Sequence, residues 1–316
     1  MLRYPVIVGP TAGGKTALAI ALARLYHAKG RSAEIVTADA FQIYRGMDIG
    51  TAKPSKAEQA GIPHHLIDIV DPVERFTVHD WLTRAEPMIA AMRAREIVPI
   101  VVGGTNLYIK SFLDGMFSAP EPTPEIRERV RAMPQDERRR LLEDADPAAC
   151  ERIHASDQRR TARALEVYLQ TGTPITRLQQ QWEAEQTHRP EAVLVGLDWD
   201  AETIKSRANR RVKIMVEQGL VEEVRGLWEQ NLLGDQAAQA IGYKQLVAHF
   251  ERRCSLDDAI ERVKIETRRL AKNQRTWLRR LRPRAGSLWL PADGRDTEEL
   301  SAEAFGQLAD KLSDEN

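Results

Sequence analysis

The feature that most constrains this chain is a glycine-rich motif close to its first residues. The motif fits the pattern G-x-x-x-x-G-K-[ST] and consists of Gly9, Pro10, Thr11, Ala12, Gly13, Gly14, Lys15 and Thr16. It follows a strand-like apolar run and opens a helix-periodic stretch, which is the context that a phosphate-binding loop requires. Loop N–H groups and the helix N-terminus then converge on phosphate oxygens. We therefore expect a diphosphate or polyphosphate ligand, with Lys15 neutralising its charge and Thr16 beside a bound Mg²⁺.

The first third of the chain alternates apolar runs with helical patterns. Strands are predicted at 4–8, 34–37 and 98–102, and helices at 15–28 and 78–93. This alternation is typical of an α/β fold with a parallel sheet covered by helices. Prolines and a charged, helix-periodic stretch at 125–189 follow, before a strand-like run returns at 193–197. We predict a discontinuous core domain, 1–117 with 190–316, and an all-helical insertion at 118–189.

Composition adds limits on location and partners. The 316 residues carry zero formal net charge and contain two cysteines that are far apart, so no disulfide framework or zinc site is expected. No apolar segment has the length of a signal peptide or a membrane span, and we expect a cytoplasmic protein with no membrane partner. Residues 252–284 hold twelve Lys or Arg against four Asp or Glu. This basic stripe fits a polyanionic partner or a solvated helix face equally well.

Two further strand ends carry polar residues. Asp39 follows the predicted strand 34–37, and the carboxyl end of such a strand faces the ligand crevice of an open parallel sheet. Asp39 is a candidate base or magnesium partner there, and a turn or helix-capping aspartate is the alternative. Gly103, Gly104 and Thr105 follow the strand 98–102, where an ATPase usually places an acid. Rapid ATP hydrolysis is therefore not expected, although a plain strand-to-helix turn also explains this sequence.

Together these motifs resemble the tRNA dimethylallyltransferase family, also called tRNA isopentenyltransferases. The resemblance rests on GPTAGGKT at 9–16, YRGMDIGTAKP at 44–54, HHLID at 64–68, GGTNLY at 103–108, RALE at 163–166, AIGYK at 240–244 and KNQRTWLR at 272–279. It spans nearly the whole chain in order. Ala40 departs from the pattern, because the family commonly has serine after the aspartate. Asn106 and Leu278 also occupy positions where other residues are usual.

The resemblance implies transfer of a dimethylallyl group from dimethylallyl diphosphate to N6 of the adenosine immediately 3′ of the tRNA anticodon. It also implies a nucleotide-kinase-like core and a helical insertion that grips the anticodon arm. By position, Asp39 matches the general base, Thr105 the residue that places the adenosine, and Arg207 and Arg211 arginines that bind the diphosphate. Residues matched to tRNA contacts are Asp39, Ala40, Phe41, Gln42, Thr105, Arg127, Arg159, Arg160, Arg163 and Arg275.

Two other functions stay open on the sequence alone. A prenyl transferase acting on free AMP, ADP or ATP would not require a basic insertion and a basic stripe. A P-loop kinase or an NTP-driven RNA-binding module would use Lys15 and Thr16 but leaves residues 44–54 unexplained. His64 and His65 are interpreted as structural residues or as part of a substrate wall rather than as metal ligands, since no second ligand cluster accompanies them. A monomer is expected, because no exposed heptad or long apolar edge is evident.

Overall fold

The computed structural model describes residues 3–116, 121–184 and 189–313. The chain forms two compact units, one of residues 1–112 with 189–316 and one of residues 113–188. The first unit contains a six-stranded sheet, and the second is built from helices. No helix in the described ranges is both long and apolar enough to cross a membrane.

All six strands of the sheet are parallel, in the order β3-β2-β4-β1-β5-β6. Their bounds are β1 Tyr4–Val8, β2 Ala33–Thr37, β3 His64–His65, β4 Val98–Gly103, β5 Ala192–Asp198 and β6 Leu288–Pro291. Every residue of β1 and of β4 is buried. Helices cover both faces of such a sheet, so its central strands read as continuous apolar runs. The predicted α/β class with a parallel sheet is confirmed.

The order of the strands fixes the position of a crevice. From β1 the chain crosses to β2, and from the neighbouring β4 it passes to β5 on the other side of β1. Adjacent strands whose connections leave in opposite directions open a crevice outside their carboxyl ends. The register pairs Val8 with Gly103, so the two strands end level with each other. The segments that begin at Gly9 and Gly104 therefore start side by side.

Helices account for most of the remaining first unit. Helix α4 ends in the second unit, and α10 to α14 follow the helices of that unit in sequence. The bounds are α1 Lys15–Ala28, α2 Lys56–Gln59, α3 Val78–Ala94, α4 Asn106–Asp114, α10 Ala201–Glu217, α11 Leu220–Glu229, α12 Tyr243–Phe250, α13 Leu256–Leu278 and α14 Thr297–Ser313. Helix α14 packs on α1, with the rings of Tyr26 and Phe305 5.1 Å apart. Trp81 of α3 is fully buried and donates its indole N–H to Thr37 O at 2.7 Å. This hydrogen bond fixes the last residue of β2 to helix α3.

The regular secondary structure of the second unit is helical in the residues that are described in it. Its helices are α5 Pro124–Ala132, α6 Gln135–Ala145, α7 Pro147–Arg152, α8 Gln158–Thr171 and α9 Ile175–Ala184. A small core contains Leu142, Ala149, Cys150, Ile153, Ala164, Val167 and Ile175. Asp146 caps α7 through Ala149 N–H and also accepts from Thr176 N–H at 2.9 Å. One buried carboxylate therefore joins two helices of this unit.

The structure adds elements that the sequence did not predict. Strand β3 has only two residues and β6 only four, too few for a periodic pattern. Helix α14 lies in the acidic end of the chain, beyond the last helix expected from the sequence. The strands predicted at 4–8, 34–37 and 98–102 agree with β1, β2 and β4 within one residue at each end.

The packing at the end of β4 leads us to predict that position 103 requires glycine. A Cβ on Gly103 would lie 2.1 Å from Ala38 O, a backbone atom that belongs to the adjoining segment. Gly103→Ala should therefore lower the free energy of unfolding by about 1–3 kcal/mol or more, through overpacking. Chemical denaturation followed by circular dichroism measures this change.

A matched control is available in helix α11. A Cβ on Gly226 meets no atom within 4 Å, so Gly226→Ala should be neutral or stabilise the fold by up to about 1 kcal/mol. Equal effects of the two substitutions would contradict the close contact at Gly103.

Candidate functional site

The glycine-rich motif forms a tight loop between β1 and α1. The N–H of Gly13 donates to Pro10 O at 3.1 Å, and Lys15 Nζ donates to the same oxygen at 2.9 Å. Helix α1 begins at Lys15, directly after the loop. Successive N–H groups of such a loop and a helix N-terminus form a concave site for an anion.

Two side chains from outside the motif hold its carbonyl groups. Trp199 donates its indole N–H to Gly13 O at 3.1 Å, and Arg207 Nε donates to Ala12 O at 2.9 Å. The guanidinium carbon of Arg207 lies 4.4 Å from the centre of the Trp199 ring. Cation–π stacking therefore orders the two donors relative to each other. The carbonyl oxygens of Ala12 and Gly13, which would repel an anion, accept hydrogen bonds from these donors. Arg207 therefore acts on the backbone of the loop.

Two cations stand together at the base of the loop. Lys15 and Arg211 are both half-buried, and Arg211 lies 3.5 Å from Thr11 Oγ1. Desolvation and the charge of Arg211 lower the pKa of Lys15 to about 8, and the Asp39 carboxylate opposes this shift. Desolvation also lowers the pKa of Arg211, again against Asp39. One carboxylate does not balance two desolvated cations, so an anionic ligand would stabilise the site.

Asp39 and Thr105 form the neighbouring wall. Asp39 Oδ1 accepts from the N–H groups of Phe41 and Gln42, at 2.9 and 3.2 Å. The turn interpretation of Asp39 is thus correct for one oxygen, and its second oxygen takes no part in these two bonds. Thr105 Oγ1 accepts from Ala40 N–H at 3.2 Å. Since that bond uses a lone pair, the hydroxyl hydrogen of Thr105 is left for another acceptor.

The segment 44–54 is fastened by a residue that sequence reasoning missed. The carboxylate of Glu223 accepts from the N–H groups of Asp48, Ile49 and Gly50 at 2.7–3.0 Å, and it also accepts from the Tyr243 hydroxyl. In the sequence, only Tyr243 of the AIGYK stretch could have indicated this contact. Gln42 Nε2 donates to Thr51 O and Ala52 O at 3.0 and 3.2 Å, which closes the segment against the wall.

These parts enclose one cleft of about 1390 Å³ in the first unit. The sequence-predicted residues that line it are Thr11, Ala12, Gly13, Gly14, Lys15, Thr16, Asp39, Ala40, Phe41, Gln42, Thr105 and Arg211. Gly9 and Pro10 lie behind this lining, at the end of β1. Gln274, which was not predicted as a site residue from the sequence, also lines the cleft. The structure therefore brings together the loop, the Asp39 turn and the Gly103–Thr105 strand end.

Other predicted residues lie elsewhere. Arg275 lines a separate, small groove with Asp198, Arg279 and Arg282, and it is not among the described residues that line the cleft. Four predicted arginines belong to the second unit, and they are Arg127, Arg159, Arg160 and Arg163. The first three are exposed, whereas Arg163 is half-buried and lies 3.9 Å from the carboxylate of Glu166.

The histidine pair has structural partners. His65 Nε2 lies 2.7 Å from Glu34 Oε2, and His64 Nδ1 lies 2.8 Å from Ile62 O. Within residues 3–116, 121–184 and 189–313, no group of three or more His, Cys, Asp or Glu is arranged to hold a metal ion. The pair closes the edge of the sheet at β3.

The fold and the cleft define an α/β protein with a six-stranded parallel sheet, a glycine-rich loop at the end of β1, and a helical unit that lies between β4 and β5 in sequence. A family model described as IPP transferase matches residues 42–281, and one described as isopentenyl transferase matches residues 2–69. A tRNA dimethylallyltransferase of Geobacillus kaustophilus is 45% identical over 288 residues, which cover 89% of each chain. The chain belongs to the tRNA dimethylallyltransferase family.

Solved structures agree with this assignment. A tRNA isopentenylpyrophosphate transferase of Bacillus halodurans is 34% identical with a TM-score of 0.71, over 100% of this chain and 99% of that chain. A eukaryotic dimethylallyltransferase, described as acting on tRNA, is 28% identical with a TM-score of 0.83, over 100% of this chain and 81% of that chain. The fold, including the helical unit, is therefore that of the family.

The pKa of Lys15 predicts how anion binding depends on pH. Lys15 is charged below about pH 8 and neutral above it. A bound anion stabilises the charged form, so affinity for inorganic diphosphate should fall as the pH rises through 8, approaching about tenfold per pH unit. Isothermal titration calorimetry across this range measures the affinity.

Lys15→Arg is the control for this titration, because an arginine keeps its charge over the whole range and reports the ionisation of diphosphate alone. The loss of affinity assigned to Lys15 is the difference between the two profiles. Parallel profiles for the wild-type chain and the variant would contradict the lowered pKa.

Proposed function

We propose that this chain transfers a dimethylallyl group from dimethylallyl diphosphate to the exocyclic N6 of the adenosine immediately 3′ of the anticodon in tRNA. The observation that carries the proposal is the meeting of two different walls in one cleft. Lys15 and Arg211 form a cationic wall, and Asp39 with Thr105 forms a wall of hydrogen-bonding groups. Membership of the family supports this substrate pair.

The cationic wall suits the leaving group. Breaking the bond between the allylic C1 and the bridging oxygen leaves negative charge on diphosphate. Lys15, Arg211 and the loop N–H groups lie where they can stabilise that charge. Arg207 was predicted to bind diphosphate. We propose that it acts instead through the loop, because its Nε donates to Ala12 O.

The proposal includes Mg²⁺, for which the residues of the loop are suitable. The Thr16 hydroxyl and the Asp39 carboxylate line the same cleft as Lys15. Mg²⁺ in phosphate sites takes only one or two protein ligands and completes its shell with phosphate oxygens and water, so no dense cluster of carboxylates is needed. When bound with diphosphate, the ion would supply further neutralisation of the leaving group.

The second wall suits the acceptor. An adenine amino group is a poor nucleophile, because its lone pair is delocalised into the ring, and forming the N6–C1 bond requires loss of an N–H proton. Asp39 has a carboxylate oxygen outside its turn bonds that can take this proton as general base. The Thr105 hydroxyl can donate to a ring nitrogen, since its oxygen already accepts from Ala40. The target base must leave its stack to reach this wall.

The residue Ala40, at a position where serine is usual in the family, leaves this arrangement intact. The contact with Thr105 uses the backbone N–H of residue 40, which any side chain except proline provides. We propose that the departure removes only a side-chain hydroxyl from the wall and leaves the acceptor geometry in place.

For the helical unit, predicted from the sequence as the insertion at 118–189, we propose a role in gripping the anticodon arm. Arg127, Arg159 and Arg160 are exposed on helices of this unit and can reach phosphates. Arg139 has a different role, because it donates to Ile153 O and Cys150 O at 2.8 and 2.6 Å and thereby caps α7. The arginines of this unit therefore differ in role, because Arg139 bonds the backbone whereas the other three are exposed to solvent.

The direct test uses labelled dimethylallyl diphosphate with unmodified tRNA, AMP or ATP as acceptor. The proposal predicts label in tRNA only, and nucleoside mass spectrometry should find N6-(dimethylallyl)adenosine. Label in AMP would indicate a prenyl transferase of free nucleotides. Phosphate release from ATP without any transfer would indicate an NTPase.

Asp39→Asn separates the two proposed roles of this residue. An asparagine keeps the shape and the turn bonds but does not accept a proton at neutral pH. Single-turnover transfer should fall by a factor of about 10² to 10⁴, with tRNA affinity little changed. The rate is then measured across a magnesium titration. If saturating magnesium restored the wild-type rate, Asp39 would be a magnesium partner and not the base.

The double change Arg159→Ala with Arg160→Ala tests the helical unit. Loss of two phosphate contacts should weaken tRNA binding and reduce the slope of log affinity against log salt by about two. Filter binding over a range of salt concentrations measures this slope. Lys29→Ala is the control, because Lys29 is exposed directly after the last residue of α1, at the end of that helix away from the loop. An unchanged slope in the double variant would remove these residues from the interface.

A further inference from the structure

Gln274 is a buried amide in the last two turns of α13, with 6% of its surface exposed. Its Nε2 donates to Gly104 O at 2.7 Å, and its Oε1 accepts from Thr11 N–H at 2.7 Å. One side chain thus bonds the phosphate-binding loop and the turn after β4. The residue lies 263 positions from Thr11 in sequence.

The two bonds fix the orientation of the amide. Rotating it by half a turn would place Oε1 against Gly104 O and the NH₂ group against the Thr11 N–H, so both pairs would repel. Each bond also occupies a main-chain group that would cost free energy if left unpaired inside the protein. The distance between the loop and the turn is therefore set by the length of one planar group.

Gly104 allows this contact to form beside the phosphate-binding lysine. A Cβ at this position would lie 2.8 Å from Gln274 Nε2 and 3.1 Å from Lys15 Nζ. The amide and the ammonium group therefore pack against the same backbone atom. A shift of Gln274 would change the surroundings of the Lys15 ammonium as well as the turn.

The contact continues to the acceptor wall. Gly104 is followed by Thr105, whose hydroxyl oxygen holds Ala40 N–H at 3.2 Å, and Ala40 follows Asp39. A continuous path of hydrogen bonds and single peptide units joins Thr11 to Asp39 through Gln274. We propose that Gln274 is a positioning residue that sets the diphosphate-holding loop at the distance from Asp39 and Thr105 that prenyl transfer requires. This inference rests on the proposed function.

The proposal differs from a purely structural role in what it affects. A residue that only fills the interior would, when changed, reduce stability and substrate binding together. A residue that aligns two reactants acts on the transfer step, because displacement by about 1 Å can reduce a rate by about 100-fold while each substrate still binds. The ratio between the transfer rate and the binding constants separates the two roles.

Gln274→Met is the main test, since methionine is close to glutamine in length and cannot form these two hydrogen bonds. With both substrates saturating, single-turnover transfer should fall about 10- to 100-fold. Affinities for inorganic diphosphate and for tRNA should change by less than about threefold. Gln307→Met makes the same change on α14, where the side chain donates to Glu303 of its own helix, and it should transfer at the wild-type rate.

Gln274→Glu gives a second, different signature. A carboxylate can still accept from Thr11 N–H but does not donate to Gly104 O, and it places negative charge beside Lys15. This variant should lose affinity for inorganic diphosphate as well as transfer rate, whereas Gln274→Met should lose rate alone. Full activity of the Met variant, or a loss of rate no larger than its loss of binding or folding, would overturn the proposal. If the wild-type chain formed no prenylated tRNA in this assay, the proposed function would fail instead.

Discussion

The half-buried charge of Lys15 and Arg211 at the end of the central strand is the constraint on which the rest of the site depends. Two cations that have lost part of their water repel each other, and Asp39 offsets them only in part. The surrounding protein must therefore hold them in place until an anion arrives. Trp199 and Arg207 do this from one side by binding the loop carbonyls.

The sheet supplies the remaining geometry. The carboxyl ends of parallel strands lie at the same edge of the sheet. The segments that follow β1, β2 and β4 therefore meet there, although they are far apart in the sequence. Long crossover connections are inherent to parallel pairing. The chain can therefore leave β4, build the whole helical unit, and return at β5 without disturbing the edge that carries the site.

Several elements were predictable because their signals are local. The loop 9–16, the apolar strands and the prolines before the helical stretch each depend on neighbouring residues, and the α/β class followed from their alternation. Strands β3 and β6 were missed, since two and four residues exist as strands only through their partners. The bond of Trp199 to the loop, between residues far apart in the sequence, became visible only in the folded chain.

Sequence by itself determined the position of the glycine-rich loop, the fold class and the family, because these depend on residue types at short, fixed spacings. Tertiary structure decided which side chains complete the site. Gln274 and Arg275 are adjacent in the same motif, yet the first enters the cleft and the second faces another groove. Consecutive residues on a helix point about 100° apart, and only packing against distant segments selects the face that turns inward. Glu223 joined the site for the same reason, through backbone N–H groups that no side-chain pattern reveals.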